Sequence, residues 1–449
     1  MSGLGQIPTS SEPSGGAALA RRYDYVIVGS SVAAVAAVEA IRGVDGTGSV
    51  LVLGEEKVAA YSRPLISHHF AGKRDVVDMI YPRPGFWDKM GTTVRTGTRV
   101  VSCDLKRKTV TTDKGDDIGY GVLLLATGSR PGVPPIEEGL ELDGVFTLTN
   151  LEDSQNIKEY LSRVRRVCVI GGGLIGLQAA EALIELGRQV TVVEFMERIL
   201  GRVFDDVASS VVEELFREHG AEIMTRASAR RIVPSQSGPA RVGEVVLQDG
   251  TRIPADMVIV ATGVAPRKEL ADAAGIETNV GILVDRFMRT SALDVFAAGD
   301  VAEGHDLLTG TRRAIPLWPN AYLQGRIAGL NMAGRQTTFP GGVAMNAAHF
   351  FGFPAVSAGI FDPSADAEYD VLQEYRPEKK TYRKLVTRNG CPVGFIFTGD
   401  AVDRSGVILG LIRARVGISD CKEELFKCPG LAALPEPLRR EMMKRYVQM

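Results

Sequence analysis

Two glycine-rich loops carry the residues whose types and spacing are most typical of a defined chemistry. The second loop reads Gly171-Gly172-Gly173-Leu174-Ile175-Gly176 and lies between an apolar run at 166–170 and an Ala-rich helical stretch. In such a unit the first glycine permits a tight turn, the second lets the backbone approach a pyrophosphate, and the third allows close packing of helix and strand. The helix N-terminus adds unpaired N–H donors and a positive dipole. The pattern therefore predicts a dinucleotide site.

An acidic residue follows the second loop at the distance expected of a ribose contact. The next apolar run, 189–193, ends in Glu194, about 20 positions after the loop, where a carboxylate typically accepts a hydrogen bond from a ribose 2′-hydroxyl. A 2′-phosphate there would meet a negative charge instead of an arginine, although Arg198 is near in sequence. The sequence therefore favours NADH over NADPH.

The first loop is a looser version of the same pattern. It reads Gly29-Ser30-Ser31-Val32-Ala33-Ala34, with Ser31 and Ala34 at the positions of the second and third glycines. Alanine is accepted at the packing position, and the small side chain of Ser31 can donate to a phosphate. An apolar run at 50–53 then leads to Glu55-Glu56, which again places carboxylates at a ribose. Alone, this loop fits a plain strand–helix turn equally well, but its pairing with the later motifs favours a second dinucleotide site.

Three further apolar runs end in turns that are typical of a cofactor contact. The turns are Ala126-Thr127-Gly128, Ala261-Thr262-Gly263 and Gly299-Asp300. Glycine permits a positive φ and a close approach of the backbone, so such turns let a ring system lie against the chain. An apolar strand that ends in Gly-Asp favours a cofactor contact for Asp300 over a simple role in the turn. Loops and turns together predict a flavin enzyme that exchanges electrons with a nicotinamide.

Length and motif order predict an α/β protein of several domains. The chain has 449 residues, of which 45% are hydrophobic, and the usual domain size suggests about three domains. We expect two Rossmann-like dinucleotide-binding domains, a discontinuous one at 22–149 and 266–339 and an inserted one at 150–265. Residues 340–449 are expected to form a separate α+β unit. Residues 1–21, rich in Ser, Gly, Pro and Ala, are expected to be a disordered tail.

The C-terminal unit has the weakest sequence patterns. Its clearest element is a hairpin of 382–387 and 393–397, joined through Asn389-Gly390, a dipeptide suited to a tight turn with positive φ. An apolar helix around 407–412 is interpreted as packing on its own sheet rather than on a partner. The segment from 435 to 449 is predicted to be a helix that docks another subunit.

Charge and cysteine usage exclude several classes of function. A formal net charge of −2 provides no basic surface for nucleic acid, and no apolar run reaches the roughly 18 residues of a membrane span. The five cysteines form no CxxC pair and no metal-ligand spacing, which predicts a reducing, cytoplasmic location and no metal site. Cys168 is interpreted as core packing. Cys421 and Cys428 are interpreted as structural, with a redox pair as the alternative.

These motifs resemble those of the two-dinucleotide-binding-domain flavoproteins, the glutathione-reductase-like pyridine nucleotide oxidoreductases, over roughly residues 23–430. Within that family, two segments look like the rubredoxin and ferredoxin reductase branch: 61–67 (Tyr-Ser-Arg-Pro-Leu-Ile-Ser), and 315–325, which contains Trp318-Pro319-Asn320-Ala321 and Gln324-Gly325. NADH oxidase-like proteins associated with carbon monoxide dehydrogenase, and the FAD subunits of phenylglyoxylate and tungsten aldehyde oxidoreductase complexes, are closer still. The segment 61–72, where the resemblance would place a reactive cysteine, has none. The resemblance thus implies direct electron transfer between flavin and acceptor.

The resemblance also implies roles for individual residues. It assigns the discontinuous domain to FAD, with Glu55 at the adenosine ribose, Val101 at the adenine and Asp300 at the ribityl chain. The other implied FAD contacts are Gly29, Ser30, Ser31, Ala34, Arg63, Pro64, Ala126, Thr127, Gly128, Trp318 and Pro319. The implied NAD contacts in the inserted domain are Gly171, Gly173, Leu174, Ile175, Gly176, Glu194 and Gly263. Arg63, His68 and Glu181 are the candidate catalytic residues; His68 stands where family members often carry Lys.

Three functions are consistent with these residues. We favour an FAD-dependent NADH:acceptor oxidoreductase, or NAD⁺-reducing subunit, that exchanges a hydride between NAD(H) and FAD. Single electrons would then pass to a separate iron–sulfur protein or subunit, because the chain has no cluster-ligand spacing of its own. The alternatives are a free-standing NADH oxidase that uses oxygen and a non-catalytic nucleotide-binding scaffold subunit. An oligomer or a hetero-complex is expected.

Overall fold

The computed structural model of the chain describes residues 21–236, 238–363 and 368–440. The fold is α/β, as predicted, and it contains one mainly parallel sheet, one parallel sheet and an antiparallel C-terminal sheet. The predicted disordered tail falls on residues outside the described range, except for Arg21, which begins the first strand.

The first sheet is built around the first glycine loop. Its strands are β1 (Arg21–Val28), β2 (Val50–Leu53), β3 (Thr92–Arg95), β4 (Val100–Asp104), β5 (Thr109–Thr112), β6 (Asp117–Leu125) and β18 (Val295–Ala297). The parallel order is β3-β2-β1-β6, and β18 also pairs with β6. Strands β5 and β4 extend the sheet in antiparallel orientation. Every residue of β2 and β18 is buried, as expected when a parallel sheet is covered on both faces.

The second sheet is built around the second glycine loop and is entirely parallel. Its strands are β8 (Val145–Thr147), β9 (Arg166–Ile170), β10 (Gln189–Val193), β11 (Glu222–Met224) and β15 (Met257–Val260). Their order is β11-β10-β9-β15-β8. Strand β8 pairs with β15 although it precedes residue 150, where we expected the inserted domain to begin. Both glycine loops therefore lie at the carboxyl edge of a parallel sheet, where nucleotides bind in such folds.

Short strands and helices complete the two nucleotide units. The strands are β7 (Ser129–Pro131), β12 (Ala229–Ser235), β13 (Gly238–Leu247), β14 (Arg252–Pro254), β16 (Val264–Pro266), β17 (Ile282–Leu283), β19 (Ala302–His305) and β20 (Arg312–Ala314). The helices are α1 (Val32–Arg42), α2 (Ile66–Phe70), α3 (Val76–Met79), α4 (Phe86–Lys89), α5 (Leu151–Tyr160), α6 (Leu174–Glu185), α7 (Asp206–Glu218), α8 (Glu269–Ala274) and α9 (Trp318–Met332). Strand β7 pairs with β16 and thereby links the ends of the two ATG turns.

The C-terminal unit is a five-stranded antiparallel sheet with helices on one side. Its strands are β21 (Met345–Phe350), β22 (Phe353–Gly359), β23 (Tyr369–Arg376), β24 (Thr381–Arg388) and β25 (Cys391–Thr398), followed by α10 (Ser405–Ala414) and α11 (Lys422–Lys427). The predicted hairpin is confirmed: β24 and β25 are joined through Asn389 and Gly390, at φ 53° and 73°. Ile408, Leu411 and Ile412 of α10 are buried in one core with the strand residues Phe395 and Phe397, so the helix packs on its own sheet, as interpreted.

The segment at the C-terminus is described only up to residue 440. Residues 436–440 are helical, and the remainder of the predicted docking helix lies outside the described residues. Among the described helices, none combines the length and the hydropathy that a bilayer crossing needs.

Candidate functional site

The second loop leaves an open face above a helix N-terminus. Gly171 has φ 114°, and a Cβ there would come within 3.0 Å of the carbonyl oxygen of Ala261. A Cβ at Gly176 would likewise clash with the carbonyl oxygen of Gly171. At Gly173, by contrast, no described atom lies within 4 Å of a built Cβ. This glycine is the N-cap of α6 and has no side chain that could bond the first N–H groups of the helix. The free N–H groups of α6 and the open space at Gly173 fit a pyrophosphate.

Glu194 lies beside this loop, as the sequence predicts. It follows β10, and its carboxylate accepts hydrogen bonds from the backbone N–H of Gly172 at 2.6 Å and of Met196 at 2.7 Å. These bonds hold the carboxylate next to the glycine loop. The turn after β15 ends at Gly263, with φ 99°, where no described atom lies within 4 Å of a built Cβ. A planar ring can therefore approach the backbone at Gly263 without a steric clash.

The first loop has a similar backbone but different side chains. Gly29 also has φ 114°, and its Cβ would clash with the carbonyl oxygen of Ala126. Ser31 is the N-cap of α1 and makes no capping hydrogen bond to the described residues, so its hydroxyl and the first N–H groups of α1 are available. Ala34 is fully buried. The loop therefore fits a pyrophosphate although only one of its positions, Gly29, requires a glycine.

The two carboxylates after β2 point in different directions. Glu55 is exposed and forms an ion pair with Arg267. Glu56 faces inward, where it accepts a hydrogen bond from the Tyr61 hydroxyl at 2.5 Å and pairs with Arg63. Val101 is 44% exposed on β4, shortly after Gly97 and Thr98, whose N–H groups bond the backbone at residues 56 and 54. The proposed adenosine contacts Glu55 and Val101 thus lie around one exposed edge, whereas Glu56 belongs to the site interior.

Arg63 is held in place by several interactions. Its Nη1 donates to the carbonyl oxygen of Thr149 at 2.9 Å, and its other Nη group is paired with Glu56. The guanidinium carbon lies 5.2 Å from the centre of the Tyr61 ring, within range of a cation–π interaction. Burial lowers the pKa of Arg63, but the charges of Glu56 and Tyr61 outweigh that effect and raise it. Arg63 is therefore a fixed cation at every physiological pH.

Asp300 is near enough to Arg63 to feel its charge. Burial raises the pKa of the Asp300 carboxyl, while the Ser129 hydroxyl, which donates to it at 2.9 Å, and the charge of Arg63 lower it. The ATG turn is adjacent, since Ser129, which bonds Asp300, directly follows Gly128. Asp300, Arg63 and the turn of Ala126 to Gly128 are thus brought together at the carboxyl edge of the first sheet.

Trp318 and Pro319 begin α9 at the same edge. The helix is anchored there because Gln324 accepts a hydrogen bond from the N–H of Gly299 at 2.9 Å, immediately before Asp300. The Trp318 ring packs edge-on against Tyr81, with ring centres 5.2 Å apart. The helix that begins with Trp318 and Pro319 therefore packs, through Ala321 and Gln324, against the turn that ends in Asp300.

A cavity of about 430 Å³ lies between the first unit, the second unit and the C-terminal sheet. It is lined by Pro64, Leu65, Ser67, His68 and Lys73 around α2, by Gln178, Glu181, Ala182 and Glu185 of α6, and by Ala347, Ala348 and His349 of β21. The predicted catalytic residues His68 and Glu181 thus meet in one cavity, and none of its lining residues is a cysteine. His349 of β21 thus reaches the same cavity as these two residues.

Burial shifts the pKa of both predicted catalytic groups in this cavity. It lowers the pKa of His68, and the positive charges of Lys73 and Arg74 lower it further. Burial raises the pKa of Glu181, while a hydrogen bond from the N–H of Phe351 lowers it. Each side chain is therefore neutral over a wider pH range than it would be in water. The neighbouring His69 has a different role: it is buried, and its Nδ1 lies 2.8 Å from the Ser154 hydroxyl.

Two residues of this region were missed in the sequence. Gln178 lies one helical turn before Glu181 and lines the same cavity. Phe351 donates its N–H to Glu181 at 2.6 Å from the turn between β21 and β22, where it has φ 51°, and its ring stacks on His219 with centres 3.8 Å apart. A Phe-Gly pair between apolar runs indicates a two-residue hairpin, but nothing local indicates which helix the turn meets.

The cysteines of the described chain form no disulfide. All five cysteines are free. Cys168 lies fully buried in β9, as interpreted, and burial raises its pKa to about 12. Cys421 is buried and Cys428 exposed, and burial raises the pKa of Cys421, which disfavours a reactive thiolate there. The described residues contain no cluster of three His, Cys, Asp or Glu side chains that could hold a metal ion.

Comparison with known proteins agrees with this geometry. The family model of the pyridine nucleotide-disulphide oxidoreductases matches residues 23–325. The chain belongs to this family. It is 31% identical to the NADH-dependent phenylglyoxylate dehydrogenase subunit epsilon of Aromatoleum evansii, over 94% of this chain and 97% of the relative. It is 34% identical to a rubredoxin-NAD(+) reductase of Pseudomonas putida, over 70% of this chain and 81% of the relative.

A solved structure shows the same fold over most of the chain. The NAD-dependent persulfide reductase from A. fulgidus superposes with a TM-score of 0.82 and is 32% identical, covering 89% of this chain and 78% of that protein. Membership in the oxidoreductase family confirms the family resemblance, the enzyme class and the pair of Rossmann-like folds that the sequence predicts. It also confirms FAD and NAD(H) as the cofactors.

Proposed function

We propose that this chain is an FAD-dependent NADH:acceptor oxidoreductase that exchanges a hydride between NAD(H) and FAD and single electrons with a separate iron–sulfur protein. The observation that carries this proposal is the cavity between α2 and α6, lined from both nucleotide units and without a cysteine among its residues. FAD, when bound, supplies the hydride and single-electron chemistry. The chain contributes binding, orientation and electrostatics.

The first unit is proposed to bind and orient FAD. The free N–H groups of α1 and the Ser31 hydroxyl would hold the pyrophosphate, and Glu55 would lie at the adenosine ribose. Asp300 would accept hydrogen bonds from ribityl hydroxyls, because its carboxylate is fixed by Ser129 and faces the cationic side of Arg63. Glu56 and Thr149 hold Arg63, so its charge is fixed in position before the cofactor binds.

The second unit is proposed to bind NAD(H). The pyrophosphate would lie over Gly173 at the N-terminus of α6, and Glu194 would bond the adenosine ribose. Gly263 has the open backbone that a nicotinamide ring needs for close approach. This assignment would place the nicotinamide at the carboxyl edge of the second sheet.

His68 and Glu181 are proposed to handle protons rather than to carry charge. Because burial and the neighbouring cations lower the pKa of His68, its imidazole is mainly neutral at pH 7 and can accept a proton. The fixed positive charge near the flavin then comes from Arg63 and not from His68. Glu181 is held at the opposite wall of the cavity by the N–H of Phe351.

The acceptor is proposed to be a separate protein. A relative is named for rubredoxin, an iron-containing electron carrier, and another is named as one subunit of a dehydrogenase. Neither the cysteine spacing nor the described acidic and thiol side chains form a cluster site in this chain. We further propose an FAD-binding domain at 22–149 and 266–339, except that β8 joins the sheet of the NAD-binding domain at 150–265. We also propose an interface domain at 340–449 and a cytoplasmic location.

The test is anaerobic mixing of the purified flavin-containing protein with NADH, followed by flavin absorbance. We expect rapid bleaching by one equivalent of NADH, slow reoxidation by air, and rapid reoxidation by an iron–sulfur protein that copurifies or is encoded by a neighbouring gene. Rapid aerobic NADH consumption by the isolated chain would instead support the oxidase alternative. A colourless protein with no bound flavin after gentle purification would support the scaffold alternative.

A further inference from the structure

Arg198 is surrounded by carboxylates. Its Nη1 lies 2.6 Å from Oδ1 of Asp206 and 3.4 Å from Oε1 of Glu197, and its Nη2 lies 3.8 Å from Oδ2 of Asp362. The side chain is 21% exposed, and its Nε is buried without a hydrogen-bond partner among the described residues. The guanidinium is therefore held by three acidic side chains, of which Asp206 makes the shortest contact.

The turn that carries Arg198 closes over the second glycine loop. Glu194 begins this turn and accepts hydrogen bonds from the N–H of Gly172 and of Met196. Farther along, the N–H of Leu200 donates to the carbonyl oxygen of Gly172 at 2.8 Å. Both ends of the turn are thus fixed to Gly172, beside the candidate ribose site. A flexible arginine in such a turn is well placed to meet a 2′-phosphate.

We propose that Asp206 is a specificity-determining residue that selects NADH over NADPH by holding Arg198 away from the coenzyme. Arginine pairs with phosphate through two parallel hydrogen bonds, so a free Arg198 would favour the phosphorylated coenzyme. Asp206 pairs with this guanidinium. The carboxylates of Glu194, Glu197 and Asp206 also add negative charge that repels a phosphate dianion. The inference rests on the proposed function only in taking the second loop as the NAD(H) site.

The contact between Asp206 and Arg198 can be removed without removing a helix cap. The preceding residue, Asp205, caps α7 by accepting a hydrogen bond from the N–H of Ala208 at 3.1 Å. Asp205 is also bonded by Lys384 at 2.9 Å and by the Tyr382 hydroxyl at 2.7 Å. The side chain of Asp206, in contrast, is 85% exposed, and an exposed ion pair contributes little to stability. A change at Asp206 therefore tests coenzyme selection rather than folding.

The C-terminal unit also contributes a carboxylate to the surroundings of Arg198, through Asp362. This carboxylate lies 3.8 Å from Arg198 and 3.5 Å from Nζ of Lys384, which is 7% exposed on β24. Lys384 thus orients Asp362 towards the turn of the second nucleotide unit. Coenzyme preference would then depend on a residue from outside the nucleotide-binding unit.

The experiment compares the binding of NAD⁺ and NADP⁺ by isothermal titration calorimetry to the FAD-loaded protein. Oxidised coenzymes are used because they bind without reducing the flavin. The variants are Asp206→Asn and Asp206→Ser, with Asp206→Glu as the matched control that keeps the charge. We expect the ratio Kd(NADP⁺)/Kd(NAD⁺) to fall about tenfold in D206N and D206S, since a charge-assisted contact to phosphate becomes possible. A further decrease is expected in D206N/D362N, and D206E should stay within about twofold of the wild type.

The role of Arg198 is tested in the double variant R198A/D206N. If Asp206 acts by occupying Arg198, the gain in NADP⁺ affinity seen in D206N disappears in the double variant. An unchanged ratio in both D206N and D206S overturns the inference, and so does a gain that persists without Arg198. A wild-type protein that binds neither coenzyme overturns the proposed function as well. Binding of NAD⁺ with no response to D206N or D206S overturns only the inference.

Discussion

The two nucleotide units differ in the close backbone contact that accompanies the third glycine position of each loop. In the second unit it is inside the loop, because a Cβ at Gly176 would clash with the carbonyl oxygen of Gly171. In the first unit Ala34 stands at the corresponding position and is accommodated. There the close approach is between helices: a Cβ at Gly325 of α9 would clash with the backbone of Ala33 in α1.

A second glycine of α9 continues this contact. A Cβ at Gly329 would clash with the carbonyl oxygen of Ala37, one helical turn further along α1. The looser loop motif of the first unit is thus accompanied by a close contact between two helices. Besides Gly29 in the loop, this unit requires small residues on a helix that follows about 290 residues later in the chain.

The largest effect is expected from Gly325→Ala. The new methyl group would press on the backbone of Ala33 and displace α1, whose N-terminus is the proposed phosphate site. We expect the free energy of unfolding to fall by about 2 to 3 kcal/mol and most of the bound FAD to be lost. Chemical denaturation and the flavin absorbance per protein measure these changes.

The matched control is Gly406→Ala in α10, where no described atom lies within 4 Å of the new methyl group. This change should leave the FAD content unaltered and stabilise the protein by about 0.5 to 1 kcal/mol, the usual helical preference for alanine over glycine. An equal loss of FAD in both variants would contradict the role of the contact between α1 and α9.

Gly176→Ala should damage the other unit selectively. The methyl group would separate α6 from the loop at Gly171, so we expect NAD⁺ affinity to fall at least about tenfold while FAD remains bound. Calorimetric titration with NAD⁺ and the flavin spectrum of the same sample separate the two effects. Loss of FAD with unchanged NAD⁺ affinity would reverse the assignment of the two loops.

Ala34→Gly tests whether the first loop would gain from a third glycine. Because Ala34 is already accommodated and lies in α1, the substitution should only cost helix stability, about 1 kcal/mol, and should not increase FAD affinity. The measurement is FAD rebinding to the apoprotein together with denaturation. Tighter FAD binding in this variant would show that the first loop is strained by alanine.

The smallest effect concerns a pair of equivalent glutamates. Glu39 and Glu181 occupy the eighth positions of α1 and α6, but Glu39 is exposed and accepts from the Tyr322 hydroxyl at 3.0 Å, whereas Glu181 faces the cavity. Burial raises the pKa of Glu181 in the folded protein. The free energy of unfolding therefore falls as the pH rises through that folded pKa, because the buried carboxyl has to ionise.

Glu181→Gln should therefore be more stable than the wild type at pH 8, by less than about 1 kcal/mol because the carboxylate is partly solvated. The difference should vanish below the ordinary glutamate pKa of about 4.5, where both proteins carry a neutral side chain. Melting temperatures from pH 4 to 8 measure it, with Glu39→Gln as the control. A stabilisation that persists at pH 4 would contradict this interpretation.

Much of the candidate site could be predicted from the sequence because its residues lie in short local motifs. Gly29 and Gly171 need positive φ in turns of a few residues, and Glu194 follows its strand directly. The Asn389-Gly390 hairpin has the same origin, since a two-residue turn restricts which residues can adopt it. The partner of Glu181 could not be found in this way, because Phe351 is 170 positions away and bonds through its backbone.

The sequence by itself identified the family and the two glycine loops, because both depend on residue types at short spacing. For the same reason it predicts a preference for an unphosphorylated ribose at Glu194 and electron transfer without a thiol pair. Only the tertiary structure decided that α9 closes on α1 and that a turn of the C-terminal sheet bonds Glu181. It also decided that Arg198 is held by Asp206 and Asp362. These contacts join distant segments, and their existence depends on packing distances of a few ångströms that no local pattern encodes.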